Sequence, residues 1–135
     1  MSSENVKLVH RWFEEVWNKG NESAIDELLA PDAKMNGLGA EMAEGLGPEA
    51  FKPFFRTFQQ AFGGIQITVE QTVADGEWVA SRWTARMVHR GDQLGVAATG
   101  RPVVVEGMSF GRFRNGQMVE GWNSWDQMGL MSQIN

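Results

Sequence analysis

The sequence predicts a single α+β domain in which about three N-terminal helices pack against a curved antiparallel sheet. Such a sheet curls around its helices and leaves a cavity at its open end. Three observations carry this prediction. Apolar residues recur at helical spacing through the first half of the chain; they switch to every second residue after Gly63-Gly64; and short turns join the strands so defined. At 135 residues the chain is long enough for one domain with a sizeable core and too short for two.

Val6, Val9, Phe13, Val16 and Trp17 mark a first helix, capped by Ser2 or Ser3 and ended by Gly20 after Lys19. A short second helix covers about 23–29, with Ile25, Leu28 and Leu29 on one side, and Pro31 stops it. Residues 32–36 read as a short strand, and Gly37, Gly39 and Gly45 make the next stretch a loop. Gly47-Pro48-Glu49 opens a third helix, because proline at the first helical position gives up a donor that has no partner there. Phe51, Phe54, Phe55, Phe58 and Phe62 form its apolar face, and Pro53 predicts a kink or a start nearer Lys52. Four strands follow, at about 65–73, 78–89, 103–113 and 117–125. Asp75-Gly76 and Asn115-Gly116 are the turn signals, since these residues tolerate positive φ. Residues 90–102 form a long loop.

Composition excludes several classes of function. The formal net charge is −5 and the 12 Lys and Arg are scattered, so the chain lacks the electrostatic footprint for nucleic acid or an anionic membrane surface. Cysteine is absent, which removes disulfides, thiol nucleophiles and cysteine metal sites and fits a cytoplasmic protein. The N-terminal pattern is broken by Glu4, Glu14 and Glu15, so neither a signal peptide nor a membrane span is expected. Six Trp and eight Phe without any Tyr predict an aromatic core or pocket and leave no phenol as an acid.

The stretch GQMVEGWNSWDQMGL carries the strongest candidate for chemistry. Asp126 follows Trp125 and lies in sequence between Trp122 and Met128; lost hydration there would disfavour its charged form and raise its pKa. That is how a carboxylate is made to exchange protons near neutrality. The competing reading has Asp126 cap the apolar tail that follows. Alternation puts Trp122 and Ser124 on the side of Asp126, with Asn123 and Trp125 opposite. On the 78–89 strand Ala80, Arg82, Thr84 and Arg86 share one face, and Val79, Ser81, Trp83, Ala85 and Met87 the other. An inward Arg82 is a costly buried cation for which Asp126 is the obvious partner; otherwise Arg82 and Arg86 lie on a solvated face or at a dimer interface. His89 ends this strand and is either a proton carrier at a pocket mouth or simply exposed. No spacing of His, Asp and Glu resembles a metal site, and GLGAEMAEGLGPE does not follow a strand as a phosphate cradle requires.

The segments VHRWFEEVWNKGNESAIDELLAPD, GPEAFKPFFRTFQQAF and VASRWTARMVHRGDQLGVAATGRPVVVEGMSFGRFRNGQMVEGWNSWDQMGL span nearly the whole chain. With EEVWNKG, IDELLAPD, TGRPV and W-x-x-WDQ-x-GL as the most specific pieces, they resemble the SnoaL-like polyketide cyclase family. The resemblance implies the cystatin-like cone shared with ketosteroid isomerase, scytalone dehydratase and nuclear transport factor 2. It implies intramolecular aldol or related proton-transfer chemistry of lyase or isomerase type, without cofactor or metal, on a small apolar or aromatic carbonyl substrate. Asp126 matches the family's acid/base. Asn36 and Arg82 would be its polar partners, with Trp122, Ser124, Phe54, Phe58 and His89 around the substrate, in a homodimer. Three positions depart from the pattern. Asn36 stands where many relatives carry His, and can hold a hydrogen bond without transferring protons. Asn123 stands where many carry Asp. Thr84 replaces the second carboxylate of limonene-epoxide hydrolases of the same fold, which counts against an Asp–Arg–Asp hydrolase. Two further readings are a non-catalytic binding module with the same pocket, and a dimeric scaffold that buries the sheet face with Trp83 and Trp125 against a second copy.

Overall fold

The computed structural model of the chain describes residues 2–38 and 45–135, so residues 39–44 of the expected glycine-rich loop lie outside it. Helix α1 (Ser2–Arg11) runs into a π-helical segment (Trp12–Asn18), followed by α2 (Ser23–Leu28), β1 (Leu29–Asn36) and α3 (Gly47–Ala61). Then come β2 (Phe62–Asp75), β3 (Trp78–His89), β4 (Pro102–Arg114), β5 (Gln117–Trp125) and α4 (Gln127–Ile134). The five strands make one curved sheet in the order β1-β5-β4-β3-β2, and the N-terminal helices pack on one side of it. This is the α+β class the patterning predicts. The sheet is an open cone whose end strands, β1 and β2, do not pair, so no barrel closes.

Local differences have local causes. The first helix does not stay α-helical to Lys19: the Lys19 N–H donates to the Glu14 carbonyl five residues back, at 2.9 Å. Strand β1 begins at Leu29 and contains Pro31, which falls in a register shift on an edge strand, where its missing N–H is tolerated. It runs parallel to β5, pairing Leu29 with Met118 and Asn36 with Trp122, so the sheet is mixed rather than wholly antiparallel. Helix α3 continues through Pro53, which sits nearly two turns after the helix start and stays exposed. Phe62 opens β2 instead of closing α3. The apolar tail after Asp126 is a helix whose Leu130 and Ile134 are buried. The β4–β5 turn has φ 54° at Asn115 and 79° at Gly116, the pair of left-handed residues a two-residue hairpin turn needs.

The core lies between helices and sheet. Val16, Ile25 and Phe51 meet Val79, Val103 and Val105, all nearly or fully buried. Each such side chain contributes roughly 1.5–3 kcal/mol relative to leaving it in water. Two amide side chains close backbone that the sheet leaves unpaired. The Asn18 Nδ2–H donates to the Ile67 carbonyl (3.0 Å) on the free edge of β2, and the Ile67 N–H donates to Asn18 Oδ1 (2.6 Å). Strand β5 ends opposite Gly107, and beyond it Gln133 of α4 makes the same double bond to Val104, at 2.8 and 2.9 Å. Among the described residues no helix is long and apolar enough to cross a membrane.

Candidate ligand-binding site

Strand register decides which side chains face the helices. Ser81, Ser109 and Asn123 form one row across β3, β4 and β5, and Trp83, Gly107 and Trp125 form the next. A side chain at Gly107 would overlap the Trp83 indole, so glycine there lets the ring lie across β4. From the sheet Ile65, Ile67, Ala85, Met87 and Val105 complete an apolar floor. Opposite them stand Phe51, Phe54 and Phe58, which share one face of α3 because they are three and four residues apart. Phe58 meets Trp125 edge-on, with centroids 5.6 Å apart. The π-helical segment supplies Trp12, Phe13 and Trp17. Residues five apart point about 140° away from each other on a regular α-helix; the wider turn brings Trp12 and Trp17 to one wall. These residues enclose a cavity of about 80 Å³.

Its polar groups form a single relay. The Trp83 Nε1–H donates to Ser109 Oγ (3.0 Å), the Ser109 hydroxyl donates to Asn123 Oδ1 (2.8 Å), and the Asn123 amide donates to the Asn36 carbonyl (3.3 Å). Those partners fix the amide one way round. One Asn123 N–H and one Ser109 lone pair are left over for a ligand. Among the described residues no ionisable side chain lines the cavity, and no group of His, Asp and Glu could hold a metal ion. The charged pairs lie elsewhere. The Arg11 guanidinium holds the Glu15 carboxyl below the usual carboxylate range through a 2.6 Å bond, and Lys52 joins Asp26 of α2 to Glu49 of α3.

The residues singled out in the sequence fall into three places. Phe54 and Phe58 line the cavity. Asn36 borders it only through its carbonyl, because its amide donates to the Gly121 carbonyl (3.0 Å) and the Glu120 carboxylate (3.4 Å) and so ties β1 to β5. Arg82, Trp122 and Ser124 lie on the opposite face of the sheet, where Trp122 packs against Trp78 and Phe110. The expected inward face was thus the outward one. The apolar set Val79, Trp83, Ala85 and Met87 was the signal, since the more apolar face of a strand turns to the core. Asp126 is exposed, and its Oδ1 accepts the Gly129 N–H at 2.8 Å as the N-cap of α4. The shielding expected from Trp122, Trp125 and Met128 does not occur, since Trp125 turns inward and Met128 outward. Asp126 shares a shallow outer groove with Arg82 without an ion pair among the described residues. His89 is fully buried rather than at a mouth. Its Nδ1 meets the Thr99 hydroxyl (3.0 Å) and accepts the Thr99 N–H (3.2 Å), which pins the β3–β4 loop.

An open α+β cone with an aromatic cavity and a neutral polar edge defines a small-molecule pocket domain of the nuclear transport factor 2-like class. The profile of the SnoaL-like polyketide cyclase family matches residues 7–134, and the chain belongs to that family. A candidate polyketide cyclase from Acidithiobacillus ferrooxidans superposes with a TM-score of 0.88 at 25% identity, covering 99% of this chain and 96% of its own. IdmH, a candidate polyketide cyclase from Streptomyces antibioticus, is 30% identical, with a TM-score of 0.81 over 96% of this chain and 97% of its own. TsrD from Streptomyces laurentii shares the fold at 22% identity, with a TM-score of 0.85 over 98% and 96% of the two chains. No curated protein matches the chain in sequence.

Proposed function

We propose that the protein binds a small, flat, largely apolar carbonyl compound in the cone cavity and acts on it as a cyclase-type template, without a cofactor. The observation that carries this reading is the Trp83–Ser109–Asn123 relay at the edge of an otherwise apolar, aromatic-rich cavity. Aromatic walls hold a planar ligand, and the spare Asn123 N–H meets a carbonyl or enolate oxygen. The contribution to a ring closure is then conformational and electrostatic: the reacting ends are held together and the developing oxyanion is hydrogen-bonded, while solvent takes the proton lost from the α-carbon and returns one to the alkoxide. Asp126 belongs to the helix cap in this reading and takes no part in proton transfer. The cavity is small beside the ~300–1,000 Å³ of most ligand pockets. Binding therefore requires side chains to swing, and the unbranched Met35 and Met87 on its wall are suited to that. The test compares 2-naphthol with naphthalene by quenching of tryptophan emission. One net hydrogen bond of about 1 kcal/mol makes wild type prefer 2-naphthol roughly fivefold. Asn123→Leu removes the preference. Absence of saturable binding, or an unchanged preference in N123L, sinks the reading.

The outer face of the sheet favours a homodimer. Val73, Met108 and Phe110 are 65%, 60% and 43% exposed beside the Trp78–Phe110–Trp122 cluster. Aromatic, Met and Arg side chains are what protein interfaces enrich. Arg82 and Arg86 border this patch together with Glu106 and Asp126, the mixed signs that a self-complementary two-fold contact needs. Trp83 and Trp125, expected on this face from the sequence, point into the cavity instead. Light scattering is expected to give twice the 15.1 kDa chain mass, and Phe110→Glu half of that. A wild-type monomer refutes the assignment.

A further inference from the structure

We propose that Asn18 is a positioning residue for the cavity, holding Trp17 at its distance from the sheet; the ligand-affinity consequence rests on the binding reading above. Asn18 ends the π-helical segment, and its neighbour Trp17 is a cavity wall packed edge-on against Phe51 and Phe54. Its amide takes both backbone groups of Ile67, and the Ile67 side chain lines the cavity from the sheet. The remaining amide hydrogen goes to the Glu14 carboxylate at 3.0 Å, so every polar atom of the Asn18 side chain is committed. One side chain thus joins a helical wall to a strand wall.

Two features make that joint consequential. A π-turn is a poorly propagating hydrogen-bond arrangement, found mostly as short insertions, so its geometry depends on outside contacts. Strand β2 is an end strand and among the described residues pairs only with β3, so Asn18 is what the outward backbone of Ile67 bonds to. Without the joint, Trp17 keeps its α3 contacts, the rings of Phe51, Phe54 and Phe55 and the Gln59 amide on its carbonyl at 3.4 Å, but loses its tie to the floor, so the cavity changes shape before the fold is lost.

The molecule supplies its own control. Gln133 makes the same double amide bond to Val104 and does not line the cavity. Asn18→Ala and Gln133→Ala therefore remove equivalent bonds at two sheet margins, one beside the cavity and one away from it. Urea midpoints should fall similarly in both. Acrylamide quenching of tryptophan emission, which needs no ligand, should rise at least twofold in N18A and stay unchanged in Q133A. The extra quenching should vanish in a W17F/N18A double variant. The Kd for 2-naphthol should weaken at least fivefold in N18A only. Asn18→Ser keeps a polar group at this position on a shorter side chain, and replaces N18A if that variant does not fold. Quenching in N18A or N18S equal to wild type, or an equal rise in Q133A, overturns the proposal. If wild type binds no 2-naphthol while the quenching contrast appears, the binding reading falls and the positioning role stands.

Discussion

Replacing Asn123 by Asp tests the electrostatic character of the cavity directly. The two side chains are isosteric, so the perturbation is the exchange of an NH2 group for an oxygen. In its protonated form the new carboxyl can reproduce both existing bonds, accepting from Ser109 and donating to the Asn36 carbonyl. In its ionised form it still accepts from Ser109 but sets a charged oxygen against that carbonyl, amid aromatic walls that replace its hydration. Full burial raises a carboxyl pKa by about 3–5 units; the half-buried position and the helpful Ser109 hydroxyl reduce this to roughly two. At 1.36 kcal/mol per unit that makes N123D about 2.7 kcal/mol less stable once ionised. The sign follows from linkage. A carboxyl whose folded pKa is raised costs nothing below its unfolded value near 4 and destabilises progressively up to about pH 6, after which the deficit is constant. Urea denaturation of both proteins from pH 4 to 8 measures it. The midpoints should nearly coincide at pH 4 and separate by about 1–3 M at pH 8, given usual slopes of roughly 1–3 kcal/mol/M. A deficit that does not change with pH would refute the reasoning, because it would mean that Asn123 sits in water.

Other expectations follow from the same geometry. Asp126→Ala removes the cap bond to Gly129 and should cost about 1 kcal/mol, with 2-naphthol affinity unchanged in a calorimetric titration. Reduced turnover of a ring-closing substrate by a folded Asp126→Asn protein would restore the acid/base role. Gly37 has φ +76° and a side chain there would overlap the Asn123 carbonyl, so Gly37→Ala should cost about 1–3 kcal/mol and weaken 2-naphthol binding too. Glu15, whose carboxyl is held low by its bond to Arg11 and then by the Arg11 charge, adds stability above its unfolded value near pH 4.5 and loses it as pH falls through the lower folded value. Acid denaturation of Glu15→Gln should therefore be shallower below pH 4.5, and an identical profile would discount that pair.

The periodic elements were legible because period alone defines them. The phenylalanine face of α3, the switch to alternation and the Asn115-Gly116 turn all express the spacing of apolar residues or the tolerance of positive φ. The site was harder to read because period fixes which residues share a face and not which face turns inward. Reading the faces from Asp126 made Trp122, Ser124 and Arg82 interior, whereas the bulk of Trp83 and Met87 places the core on the other side. Ser109 escaped notice for a related reason, since a lone hydroxyl on a strand has no local signature. Its significance comes from Trp83, 26 residues away in sequence, and Asn123, 14 away. The π-turn was equally hidden, because WFEEVWN satisfies an α-helical pattern as well.

The parallel pairing of β1 with β5 has a consequence in time. Leu29 waits for Met118 and Asn36 for Trp122, separations that span most of the chain and carry a high loop-closure cost. The β2–β3 and β4–β5 hairpins can form as they emerge from the ribosome, but the first strand has no partner until residues 117–125 follow. During that interval the apolar faces of the π-helical segment and α3, including Trp12, Trp17 and Phe54, lack the finished sheet that covers them. Chaperone demand should therefore be greatest late in synthesis, and a stalled chain ending near residue 114 should be more protease-sensitive than its length suggests.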